Sequence, residues 1–119
     1  MNKDESLALY AQGREAWNAW AAERRAEREA LKAAGNWVEP DSGRNLNDAT
    51  RDWHAAAADF SEHTFEAPVD FASFDFPGEA RFVGATFRGY TTFDWATFSS
   101  SAWFDGATFS GKIKGVRLD

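Results

Sequence analysis

Cysteine is missing from this 119-residue chain, so neither a disulfide framework nor thiolate chemistry is open to it, and a reducing compartment suits it. Histidine is nearly as scarce, with His54 and His63 the two present. No apolar run approaches the length of a membrane span, and the first residues, Met1 to Ser6, lack the charged-then-apolar layout of a signal peptide. The chain is therefore expected to be soluble and cytoplasmic. Bases are outnumbered by acids, 13 against 19, and the formal net charge of −6 argues against a nucleic-acid-binding surface, because phosphate contacts need clustered Lys and Arg.

What the chain has in quantity is phenylalanine at fixed intervals. Phe60, Phe71, Phe82, Phe93 and Phe104 recur every eleven residues, and Phe65, Phe76, Phe87, Phe98 and Phe109 form a second series, so that the two interleave at gaps of five and six. Those gaps fit neither a 3.6-residue helix nor a continuous alternating strand, whereas short strands separated by bends fit them. A small residue stands two places before many of the rings (Ala58, Ala80, Ala85, Ala96, Ala102, Ala107), and glycines follow several of them. A fixed internal period marks a solenoid, whose units bury their inward side chains only by stacking on one another. The phenylalanines are then an inward ladder in a narrow lumen.

Ala58, Asp59, Phe60, Ser61, Glu62 is one such unit, and Ala80 to Gly84, Ala85 to Gly89 and Ala107 to Gly111 repeat it. In this the chain resembles the pentapeptide-repeat proteins. Val69, Thr91 and Ile113 stand where the alanine belongs, as do His63 and Phe74, and every second unit has one extra residue. The resemblance implies a right-handed, four-sided β-helix, mainly β with an N-terminal α cap, in which the central residue and the preceding alanine point inward. About two and a half coils fit the length.

A four-sided coil spans two eleven-residue units, so residues 22 apart should lie above one another at about 4.8 Å. That offset pairs Asp59 with Arg81, Glu66 with Arg88, Arg81 with Trp103, Tyr90 with Lys112 and Trp95 with Arg117, two ion pairs and three cation–aromatic pairs. An offset of eleven would instead set Asp59 against Asp70 and Asp94 against Asp105.

Residues 1–58 read as a helical cap and 59–119 as the solenoid. A helix is expected over about 6–34, capped by Asp4 or Ser6 and ended by Gly35 and Asn36. It presents an apolar face with Leu9, Tyr10, Gly13, Ala16, Trp17, Trp20, Ala21 and Leu31, opposite a solvated face of Glu15, Asn18, Arg25, Glu29 and Lys32 in which Arg25 and Glu29 are spaced to pair. Trp17 and Trp20 either pack on the protein's own body or mark a partner surface. A connector over 36–47 holds the turn-forming Pro40, Asp41, Ser42 and Gly43, with Trp37 and Val38 tucked beneath. A second helix over 48–57, capped by Asn47 with Trp53 inward, leads into Phe60. Both helices would cover the first coil's apolar cross-section and unpaired strand edge. At the far end Gly115 stands where the next phenylalanine belongs. There Val116 and Leu118 close the lumen, or the open end meets another molecule, or the chain is a fragment of a longer repeat protein. An end-to-end homodimer through the C-terminal coil would bury that edge.

No constellation of catalytic or cofactor-binding residues stands out. His54 and His63 lie near Asp52, Asp59 and Glu62, where a metal or acid–base site can be drawn, yet both positions suit packing at the cap. Ser99, Ser100 and Ser101 lack a histidine at a matching offset, and Asp70, Asp75, Asp94 and Asp105 lie on outward positions without clustering. The reading is a non-enzymatic structural or interaction module that binds a protein partner or itself, with no cofactor, metal or nucleic acid. Trp17, Trp20, Tyr90, Trp95, Trp103, Ile113, Val116 and Leu118 are its candidate contact residues. The alternative implied by the resemblance is a duplex-like protein that binds type II topoisomerases. Against it, nine acids and five bases between Asp59 and Asp119 leave only four net negative charges on the solenoid.

Overall fold

The computed structural model of the chain describes residues 1–40, 42–55 and 57–115. Three helices, α1 (Lys3–Ala11), α2 (Arg14–Ala33) and α3 (Asp48–Ala55), precede eleven two-residue strands, β1 (Ala58–Asp59) to β11 (Ile113–Lys114). All strand pairs are parallel, and every one joins residues 22 apart, such as Ala58 with Ala80 and Ala80 with Ala102. Strands four apart in the chain therefore share a face. The faces are β1-β5-β9, β2-β6-β10, β3-β7-β11 and β4-β8. Two full coils and three faces of a third are described, slightly more than the spacing suggested.

The rings stack as the period requires. Phe60 lies over Phe82 and Phe82 over Phe104, at 5.3 and 4.9 Å and within 14° of parallel. Phe65, Phe87 and Phe109 form a second column, Phe71 with Phe93 a third, and Phe76 with Phe98 a fourth. Centroid separations near 5 Å between parallel rings mean offset stacking, the arrangement the ring quadrupole favours. Between columns the rings meet edge to face, as Phe71 does with Phe82. Phe60, Phe71, Phe82 and Phe87 have no exposed surface, whereas Phe98 is 36% exposed and Phe104 and Phe109 are half-buried. The inward ladder thus stays dry through the first coil and most of the second and opens to solvent from Phe98 onward.

The expected single N-terminal helix is two helices. Gly13 adopts φ +100° and ψ 176°, a backbone that glycine enters without steric cost and that no helix contains. The break lets α1 lie on β1 and α2 on β4. The start also differs, since Asn2 caps α1 in a reciprocal box with Glu5, leaving Ser6 free for other work. Gly35, at φ +74°, ends α2 as expected. Asn47 Oδ1 accepts the Thr50 amide and caps α3, described over Asp48–Ala55, and Ala57 is not helical.

The cap closes the first coil through side chains rather than another strand. The Asp59, Asp70 and Asp75 amides of β1, β3 and β4 donate to Ser6 Oγ, Tyr10 Oη and Asn18 Oδ1 at 2.9, 3.3 and 2.9 Å. In return Trp17 Nε1 donates to the Asp75 carbonyl and Asn18 Nδ2 to the Ser73 carbonyl. Edge groups that would template another chain are satisfied in place. Trp17, fully buried, stacks on Phe60 and packs against Phe74 and Phe76. Phe74 fits an alanine slot because, on the top coil, it meets Tyr10 and Trp17 instead of another coil.

The solvated face expected on α2 is corrected at two positions. Asn18 and Arg25 face the solenoid, and Arg25 pairs with Asp75, not with Glu29. Both lie within reach of β4 once α2 is laid along it, and a bidentate carboxylate holds a guanidinium better than an exposed neighbour one turn away. Glu29 instead sits 3.8 Å from Arg28 and Lys32.

Candidate interaction surface

The polar groups singled out for chemistry are dispersed. His54 packs against Trp37 and Trp53, where burial, with the Arg28 and Arg24 charges, lowers its pKa against the opposing pull of Glu79 and Glu39. His63 stands edge-on to Phe65, its pKa lowered by burial and by Lys3. Asp70, Asp75 and Asp94 are each held by a cation, Arg14, Arg25 and Lys114. Ser99 Oγ accepts from Arg25 at 2.7 Å. Among the described residues no three His, Asp or Glu side chains gather as a metal site, and no helix is long and apolar enough to cross a membrane.

The candidate contact residues divide sharply. Trp17 is excluded as a partner surface, since the solenoid itself covers it completely, and half-buried Trp20 lies against it at 5.1 Å. Tyr90 and Trp103 are 44% exposed, Ile113 39% and Trp95 90%. Val116 and Leu118 lie outside the described residues, as does Arg117, the expected partner of Trp95. Of the other stacked pairs, Glu66 and Arg88 meet at 3.3 Å. Arg81 sits in register with Asp59 and Trp103 but bonds Glu79, two residues back on its own coil. The cation–ring contacts found among the described residues lie instead on the cap, Arg24 and Arg28 over Trp53 and Lys32 over Trp37.

Among the described residues every large apolar side chain with substantial exposure, Val83, Tyr90, Trp95, Phe98, Trp103 and Ile113, belongs to the second or third coil, and the cap and first coil contribute none. Among the described residues β9, β10 and β11 are hydrogen-bonded on one side alone, in contrast to β1, β3 and β4, whose free edge the cap's side chains bond.

Residues 71–112 match the family model described as pentapeptide repeats (9 copies). That stretch carries pentapeptide repeats. Pentapeptide repeats wind into right-handed β-helices, the four-sided form seen here with its helical cap. Neither the curated proteins nor the solved structures contain a significant match to the chain.

Sequence reasoning missed one feature of the pentapeptide-repeat corners. Glu62, Ser73, Gly84, Trp95 and Gly106, eleven apart, all take left-handed backbone with φ between +60° and +71°. Two of the five are glycine, and that recurrence is the signal that would have exposed Trp95 as the bulky exception.

Proposed function

We propose that the chain is a non-enzymatic interaction module that associates with a second copy of itself, the exposed lower two coils taking part in the contact. The observation that carries this reading is the asymmetry of the two ends. The cap covers the apolar cross-section with Trp17 and satisfies edge amides with Ser6, Tyr10 and Asn18, whereas the lower coils leave Phe98, Trp103 and Ile113 in contact with water. Exposed apolar side chains gathered toward one end in this way support reading that end as an interaction site.

The duplex-like alternative draws less support, because Asp70, Asp75 and Asp94 each face a cation and leave no continuous acidic wall. Light scattering across a dilution series tests the proposal. A mass above 13.3 kDa that falls on dilution is expected, and a 13.3 kDa species at every concentration overturns self-association.

A further inference from the structure

Trp95 combines two properties that rarely meet. It is 90% exposed, and its backbone sits at φ +62°, a conformation that disfavours any bulky side chain and that Gly84 and Gly106 occupy at equivalent corners. Strain held at this aromatic serves no packing among the described residues. It leaves the indole standing in solvent.

One coil above the same corner lies a cavity. Tyr10, Ala11, Gly13, Arg14, Asp70 and Phe74 line an open cleft of about 350 Å³ between the α1–α2 break and the third face. A methyl group added at Gly13 would meet nothing within 4 Å, so that side of the cleft is open space. The half-buried Tyr10 and the Arg14 guanidinium, held by Asp70 at 3.0 Å, are partners an indole prefers, through stacking and cation–π attraction, above the buried Phe74. The two features are neighbours: the Ser73 amide donates to the Asp94 carbonyl at 2.8 Å, and the Thr97 amide to the Phe74 carbonyl at 2.9 Å, bracketing Trp95 directly beneath the cleft. Yet Trp95 does not fill it.

A knob and a hole one coil apart on one wall form a self-complementary patch. A two-fold axis lying in the plane between two facing walls, perpendicular to the solenoid axis and midway between the two levels, exchanges them, as an isologous dimer requires. The wall is large enough, because the molecule measures 45 × 29 × 26 Å and a standard interface needs about 800 Å² per partner. We infer that two copies pack side by side and antiparallel, each seating Trp95 in the Tyr10–Arg14–Phe74 cleft of the other. This rests on the self-association proposed above and sets its geometry against the end-to-end arrangement.

The test uses the full chain, with the dissociation constant read from light scattering on dilution. Trp95→Gly removes the knob while relaxing the corner, so the dissociation constant should rise at least about thirtyfold, the scale of an interface hot spot, with the melting temperature equal to or above that of the wild type. Ala11→Arg fills the hole from an exposed position at the end of α1 and should weaken the dimer similarly. Trp95→Asn, which also tolerates left-handed backbone, serves if glycine loosens the turn. Wild-type affinity in the Trp95 and Ala11 variants, with dissociation on Ile113→Lys, would overturn the lateral dimer and leave self-association through the open end. A wild-type monomer at every concentration would overturn both.

Discussion

Arg25 grips Asp75 through both carboxylate oxygens, Nε to Oδ2 at 2.8 Å and Nη2 to Oδ1 at 2.6 Å, and the same Nη2 reaches Ser99 Oγ at 2.7 Å. Asp75 lies in the first coil and Ser99 follows Phe98 in the second, so one side chain from α2 clasps two coils to the cap. Both partners are about 30% exposed, which places the contact between a surface ion pair and a buried one.

Arg25→Ala should therefore cost about 1–2 kcal/mol, and Arg25→Lys should recover little of it, because a single ammonium cannot reproduce the fork. Urea denaturation of the three proteins checks this. A lysine variant as stable as the wild type would show that charge alone holds the cap.

Depth in the ring stack should set the cost of emptying it. Phe82 is fully buried between Phe60 and Phe104, and Phe82→Ala is expected to cost about 3–5 kcal/mol. Phe98 has Phe76 stacked at 4.8 Å on one side and is 36% exposed, so Phe98→Ala should cost about half as much or less. Equal losses in urea midpoint would mean that the lower coil is covered in solution, which the dilution series would report as association.

Acid should loosen the cap through His54. Burial lowers its pKa below the ordinary value near 6.5, so the folded state holds the imidazole neutral while the unfolded state takes up a proton. His54 faces Arg24 and Arg28 from α2, Glu39 from the connector and Glu79 ahead of β5. Its contribution is fully present above pH 6.5 and is lost as pH falls below that value toward the folded pKa. His63, with a pKa lowered in the same direction, adds to the trend. Unfolding midpoints at pH 7.5, 6.5 and 5.5 should fall less steeply for His54→Gln than for the wild type; parallel slopes would remove His54 from the account.

The solenoid was legible because its rule is local and repeated. A ring at alternating gaps of five and six admits one closed arrangement, and the 22-residue register follows from counting, as Ala58 over Ala80 and Phe65 over Phe87 show. The cap was legible in outline only. Gly13 looked like one more residue on an apolar helical face, since a glycine is compatible with helix or break, and only the need to lay α1 on β1 and α2 on β4 decided for the break. Asn18 and Arg25 read as solvated because their partners, Ser73 and Asp75, lie 55 and 50 residues away.

The same division holds for the surface. Composition and period determined by themselves that the chain is a phenylalanine-cored coil without disulfides, since inward rings, outward polar residues and small corner residues are properties of single positions. Tertiary structure alone decided which aromatics remain in water. Trp17 and Trp95 are the same residue type, yet one is sealed by Phe60, Phe74 and Phe76 while the other stands at a left-handed corner beside an unfilled cleft. Burial depends on what the rest of the chain brings to a position, and no window of neighbouring residues contains that information.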